Sequence, residues 1–237
     1  MTRIAIVTGL GAEAALVARA CRRDPEAPVI VRCGGVGPQA ARAAARDMVD
    51  AGATALASFG LAGGLEPDYW PGLAVVASEV VTAQGRTYAP DRAWHSRLLA
   101  ATIGQDWVFD GRLCGSDTPV TNPAAKATLL EKTGALAVDM ESHAVAAVAA
   151  EAGVPFAAVR AIADPARRGV PAAALAGLEP DGGVAPFAVL RSLATAPWQL
   201  PGVVVAAIDG RRGLSALRRV IALAGPALGG PGVVAEV

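Results

Sequence analysis

Short runs of β-branched and apolar residues alternate with longer Ala-rich runs through the first two thirds of the chain. Residues 4–7, 29–33, 53–58, 73–81, 107–113, 135–138 and 156–162 read as strands. Residues 12–21, 40–49, 92–102, 122–132 and 140–151 read as helices. Their ends carry recognisable signals: Asn122 as an N-cap ahead of Pro123, Pro38 in a first turn, and Gly52 and Gly153 as stops. The segment Gly60-Leu-Ala-Gly-Gly-Leu65 reads as a bend. Strands alternating with helices predict an α/β fold with three αβα layers around a central mixed, largely parallel sheet. In such sheets, functional side chains gather where strands end in loops.

The pattern changes near residue 165. Two loop-like stretches follow, and then residues 186–196, 203–208 and 214–224 read as helices, the last two separated from their neighbours by Pro201 and Gly210. There is no internal repeat and no sign of an independent second unit. Residues 1–237 are therefore expected to form one domain with an apolar helical C-terminal part from about residue 165.

Composition narrows the function. The chain has 237 residues, 53% hydrophobic, 18% charged and only 4% aromatic, so its apolar content is mainly Ala, Val and Leu. This excludes a disordered chain. Lys and Arg together number 21, as do Asp and Glu. A net charge of zero gives no electrostatic case for a nucleic-acid partner. Cys21, Cys33 and Cys114 lack metal-ligand or disulfide spacing, and His95 and His143 lie far apart, so no metal site is expected. With no leader ahead of the first strand and no apolar run of bilayer length, the expected setting is cytoplasmic.

Three acidic segments could carry chemistry. Thr8-Gly-Leu-Gly-Ala-Glu13 puts a carboxylate in the first turn of a helix, where the helix dipole alone could explain it. The same stretch fits a loose dinucleotide fingerprint, Gly9-x-Gly11-x-x-Ala14, but the second strand ends in Arg32-Cys33-Gly34-Gly35 and lacks the expected ribose-binding acid. Ala137-Val-Asp-Met-Glu-Ser142 delivers Asp139 and Glu141 around Met140. A carboxylate there could hold two vicinal ribose hydroxyls, with Met140 as an apolar wall, although helix-start acids are also common for structural reasons. Ala157-Ala-Val-Arg-Ala-Ile-Ala-Asp164 closes a buried strand with an acid that burial could keep protonated, or that could simply form an Asx turn before Pro165.

Together, and in this order, these segments resemble the purine nucleoside phosphorylase and methylthioadenosine/adenosylhomocysteine nucleosidase superfamily, from residue 3 to about 165. The resemblance implies cleavage of the N-glycosidic bond of a purine nucleoside without a cofactor. It implies Glu13 as the base that activates water, Asp164 as the acid that protonates the purine, and Glu141, with Asp139 and Met140, at the ribose. It also implies that Leu61, Ala62 and Gly63 line the nucleophile pocket, and that Pro119 and Val120 flank the base. The Gly-rich segment carries no arginine, which favours water over phosphate. Arg92, Arg160, Arg167 or Arg168 could still contact phosphate. Ala163 stands where the family carries a serine before the acid.

The stretches Tyr88-Ala-Pro-Asp-Arg-Ala-Trp-His-Ser-Arg-Leu-Leu and Val189-Leu-Arg-Ser-Leu-Ala-Thr-Ala-Pro-Trp-Gln-Leu-Pro are similar to the hopanoid-associated branch. That likeness implies adenosylhopane as substrate and ribosylhopane or its phosphate as product. Residues 170–178 and 187–208, including Trp198, are apolar enough to line a groove for such a lipid, and equally suited to a core or a subunit interface. A homodimer or larger assembly is expected. Peripheral membrane contact through residues 214–224, with Arg218 and Arg219, is a further option. The alternatives are a non-catalytic nucleoside or lipid binder and a dinucleotide-dependent oxidoreductase.

Overall fold

The computed structural model describes residues 2–232; Met1 and residues 233–237 of the expected 1–237 unit lie outside them. The described residues form eight strands: β1 (Ile4–Thr8), β2 (Val29–Cys33), β3 (Ala55–Gly64), β4 (Ala74–Thr82), β5 (Thr87–Tyr88), β6 (Val108–Gly115), β7 (Ala137–Asp139) and β8 (Phe156–Asp164). The helices are α1 (Gly11–Cys21), α2 (Pro38–Asp50), α3 (Arg92–Ala101), α4 (Pro123–Thr133), α5 (Ser142–Ala152), α6 (Ala172–Leu175), α7 (Pro186–Thr195) and α8 (Leu200–Ala224), with a 3₁₀ turn at Pro197–Gln199.

The sheet is mixed, with parallel pairs predominating. β3 pairs in parallel with β1 and β8 and antiparallel with β7, while β4 pairs in parallel with β6 and antiparallel with β8. Since β6 also pairs with β7, the strands β3, β8, β4, β6 and β7 close a ring. Helices cover both faces. Leu56, Val75 and Phe156 pack with the alanines of α2 and α5 on one side. Ile6, Phe59 and Val159 pack with Val17, Trp94 and Leu217 of α1, α3 and α8 on the other. Alanine dominates α2 and α5, so these helices approach the sheet closely. This is how a chain poor in aromatics reaches a dense core.

Two expectations fail, each for a physical reason. The Gly-rich segment is not a bend. It continues β3 to Gly64, and none of Gly60, Gly63 and Gly64 has a positive φ. The glycines serve close approach instead. A Cβ at Gly60 would lie 2.5 Å from Arg160 Nη1 and 2.8 Å from the Glu13 carboxylate, and one at Gly63 would lie 3.1 Å from Asp164 Oδ2. Likewise, 203–208 and 214–224 are not separate helices. They form one 25-residue helix, α8, with Pro201 in its first turn. A helical glycine costs only ~1 kcal/mol, and the burial of Ala216, Leu217, Val220 and Ile221 outweighs it. Gly213 also lets α8 pack closely on β8, since a Cβ there would meet the Leu61 side-chain tip at 2.7 Å and Ile162 O at 3.2 Å.

Candidate active site

The ends of β1, β3, β7 and β8 open on a cavity of about 440 Å³. Every residue expected at the site borders it: Glu13, Leu61, Ala62 and Gly63, Pro119 and Val120, Asp139, Met140 and Glu141, and Asp164. Four acids, Glu13, Asp139, Glu141 and Asp164, line the cavity. Residues 170–207, which include α6, α7 and the start of α8, contribute only uncharged lining residues, Leu175, Leu178, Val189 and Val203 among them.

Glu13 sits one turn into α1, and its carboxylate bends back over the loop that precedes it. Oε2 accepts the Gly9 N–H (3.1 Å) and the Leu10 N–H (2.9 Å), while Oε1 accepts the Leu61 N–H from β3 (2.8 Å). The anion-binding amides at this helix start are therefore taken by the protein's own carboxylate. A dinucleotide pyrophosphate would need the same donors, so the geometry argues against that alternative. The loop 179–183 closes over the same place: Gly182 O accepts the Gly11 N–H (3.0 Å) and Pro180 O the Val36 N–H (3.0 Å).

Arg160 lies fully buried beneath the acids. It pairs with Asp139, reaches Glu141 Oε2 at 3.4 Å through Nη1, donates to Ser142 Oγ (3.0 Å) and Ser58 Oγ (2.7 Å), and touches Leu61 O at 3.3 Å. This position corrects two expectations. Asp139 belongs to the wall of the cavity, but its carboxylate is committed to Arg160 and Ser142, so it supports the site without being free for ribose. Arg160, with its donors engaged by the protein, is not available to grip phosphate. Arg168 pairs with Asp209 and Arg167 with Asp68, and neither they nor Arg92 border the cavity.

One guanidinium cannot neutralise three carboxylates. Glu141 keeps its position through the Gly37 N–H (2.9 Å to Oε1), at a glycine whose φ of 100° starts α2. Burial raises the Glu141 carboxyl above its ordinary range, against the pull of Arg160. Burial also pushes Glu13 up to about 7, opposed by Arg160 and by the Leu61 and Leu10 N–H groups. A base poised near neutrality is well matched to activating water.

This shift has a consequence for stability. The folded Glu13 carboxyl keeps its proton up to about 7, whereas an unfolded one releases it near 4.5. The folded state thus binds more protons between these values, and stability falls as pH rises through that window. The loss from this one group is on the order of 3 kcal/mol. Urea unfolding from about pH 4.5 to 8 is expected to show it, with a visibly flatter slope in Glu13→Gln.

Asp164 ends β8 opposite Gly63, just past a bulge at Ala62/Gly63. Burial raises its carboxyl above the usual range, while the Lys126 ammonium beside it acts in the opposite direction. Lys126 comes from α4, is fully buried, and pairs directly with Asp164 Oδ2. Sequence reasoning missed it. A single lysine inside an exposed-looking helix carries no local signal, and the only trace was Ala163, which left the acid short of a partner. The loop before α4 is tied to the same region, since Thr121 O accepts the Val170 N–H (2.9 Å).

The apolar C-terminal elements divide their work. Val189, Val203, Ala206 and Ala207 line the cavity, but Phe187 and Trp198 are 85% and 75% exposed and stand outside it. The stretch 214–224 buries Ala216, Leu217, Val220 and Ile221 in the core and leaves Arg218, Arg219 and Leu223 exposed. Arg219 stacks over Trp107 at 3.8 Å and donates to Gly72 O at 3.1 Å. The exposed large apolar side chains are densest between α7 and the start of α8, at Phe187, Leu190, Trp198, Leu200, Val204, Val205 and Ile208, with Trp70 and Ile103 exposed elsewhere. Among the described residues, no helix is long and apolar enough to cross a membrane.

Residues 3–181 match the family described as the phosphorylase superfamily. The chain is 29% identical over 167 residues to a 5′-methylthioadenosine/S-adenosylhomocysteine nucleosidase of Shewanella pealeana, covering 60% of this chain and 71% of that protein. It is 30% identical over 160 residues to the Shewanella piezotolerans protein of the same name, covering 57% and 68%. Among solved structures, the Helicobacter pylori nucleosidase with 5′-methylthioadenosine in its active site superposes with a TM-score of 0.67 at 16% identity, covering 94% of this chain and 99% of that one. The futalosine hydrolase of Helicobacter pylori, in a mutant form, gives 0.66 at 16% identity, covering 94% and 99%. At this identity the structural likeness concerns the fold.

Proposed function

We propose that this chain, which belongs to the phosphorylase superfamily and is an N-glycosyl bond-cleaving enzyme of purine nucleosides, hydrolyses a nucleoside whose 5′ carbon carries a large apolar group. Adenosylhopane is the substrate that best fits this reading, with adenine and ribosylhopane as products in hopanoid biosynthesis. The carrying observation is the make-up of the cavity wall: four acids at the ends of β7 and β8 and the start of α1, and an uncharged lobe from the C-terminal part that includes Leu175, Leu178, Val189 and Val203. A ribose held by Glu141 would point its base toward Pro119, Val120 and Asp164, leaving its 5′ carbon facing that lobe.

In this reading Asp164 gives its proton to the purine as the C1′–N9 bond breaks, and the bond's electrons leave with the base. Water attacks the ribosyl cation and passes its proton to Glu13. Among the described residues, no lysine or arginine lines the cavity, which supports water over phosphate as nucleophile. The exposed Phe187, Leu190, Trp198, Leu200 and Val204 belong to the elements that build the apolar lobe. They support contact with a membrane surface, or with a second copy of the chain, around the point where so apolar a substrate would enter.

Adenine release by purified protein tests the proposal. The rate is expected to be the same in phosphate and phosphate-free buffer, with arsenate giving no stimulation. Across nucleosides with increasingly apolar 5′ groups, kcat/KM is expected to rise at least ~10-fold, since burying ~100–200 Å² of apolar surface yields several kcal/mol before binding costs. Strict phosphate dependence would sink the hydrolytic reading. Tight binding without adenine release would make the protein a binder.

A further inference from the structure

Lys126 is the most unusual charged residue in the fold. Its side chain is fully buried, and such a group persists only where its charge is compensated. Three acceptors surround Nζ: Asp164 Oδ2, Pro165 O at 2.9 Å and Arg168 O at 3.5 Å. An ammonium has three hydrogens to donate, so the cradle matches the charged form. The cradle is also anchored. Its third acceptor belongs to Arg168, whose guanidinium pairs with the buried Asp209 of α8, and Arg212 reaches the same Asp209 at 3.1 Å. Among the described residues, no other cation contacts the Asp164 carboxylate.

We propose that Lys126 is a positioning residue for proton delivery. Its ammonium fixes the Asp164 carboxyl at the cavity edge and stabilises the carboxylate left behind once the proton has moved to the leaving purine. This role rests on the reading of Asp164 as proton donor. In the step, the Asp164 O–H bond breaks and a purine N–H bond forms, while the glycosidic electron pair moves onto the base. A carboxylate with little solvent around it would be a costly product of that step, and the adjacent ammonium lowers the cost. The cation thus makes Asp164 a stronger acid toward the base without itself touching substrate.

Two substrates separate this role from simple scaffolding. A purine nucleoside needs its leaving group protonated, whereas 4-nitrophenyl β-D-ribofuranoside has a leaving group that departs as an anion. The ratio of the two rates therefore follows the protonated fraction of Asp164 and falls as pH rises. In Lys126→Gln, purine release is expected to drop ~10²-fold, a loss of the size typical for acid–base groups. Nitrophenyl release is expected to drop less than ~3-fold, and the fall in the ratio should move at least about one pH unit upward. Lys126→Arg, which keeps the charge, should return the ratio toward its original pH. If Lys126→Gln does not fold, Lys126→Met carries the same measurement. Equal losses on both substrates with an unmoved ratio would reduce Lys126 to a structural residue and overturn the proposal. So would unchanged activity. A wild-type protein that releases no purine would overturn the proposed function, and this role with it.

Discussion

Asp164→Asn is expected to lower kcat for purine release by ~10²–10⁴-fold while changing KM little. The amide keeps the shape of the carboxyl and can still donate a hydrogen bond, but it has no proton to transfer. The loss should therefore appear in the chemical step. The substitution has a second effect that must be separated from the first. It strips the buried Lys126 of its counter-ion, and breaking a buried pair costs ~3–5 kcal/mol. Urea unfolding should show a clear loss of stability, and assays belong well below the lowered melting temperature. A variant that stays folded, binds nucleoside and turns over at the wild-type rate would remove Asp164 from the mechanism.

Glu13→Gln is expected to fall by a similar ~10²–10⁴-fold if water is the nucleophile, because the base that accepts its proton is gone. The pH profile gives the sharper signature. A Glu13 carboxyl held at about 7 by burial must ionise before it can act, so the wild-type rate should rise with pH through that value. The variant should lose this rise. Gln also cannot accept from all three of the Gly9, Leu10 and Leu61 amides without turning its NH₂ toward one of them, so some loss of local order is expected. A small effect at Glu13 combined with a large one at Asp164 would point to a nucleophile that needs no base, such as phosphate. Rates with and without phosphate decide between the two outcomes.

Much of the site was legible because it sits where strands stop. Glu13, Glu141 and Asp164 each follow a short apolar run, and in an α/β sheet such positions converge on one edge. Local chemistry carried the elements too: Asn122 does cap α4, accepting the Ala125 N–H at 2.8 Å. The Gly-rich segment misled for an instructive reason. Glycine marks both turns and close approach, and only the neighbours tell them apart. Here the neighbours are Arg160, Glu13 and Asp164, which lie 47 to 101 positions from the glycines they approach. Asp139 misled in the opposite direction. Its spacing from Glu141 suggested a pair of acids serving one ligand, yet the tertiary fold gives Asp139 to Arg160 and leaves Glu141 facing the cavity.

The sequence by itself determined the order of the longer strands and of helices α1 to α5, though not the short β5 and α6 or the continuity of α8, together with the α/β class, the order of the acidic segments and the apolar character of the C-terminal third. These follow from periodicity and from side-chain chemistry read over a few neighbouring residues. The tertiary structure alone decided how the charges are paired and which apolar residues face the cavity. Arg160 under three acids, Lys126 beside Asp164, and Val203 inside the lobe while Trp198 faces solvent depend on contacts between residues far apart in the chain. Coulombic and desolvation energies depend on distance and burial, and neither is encoded in local spacing.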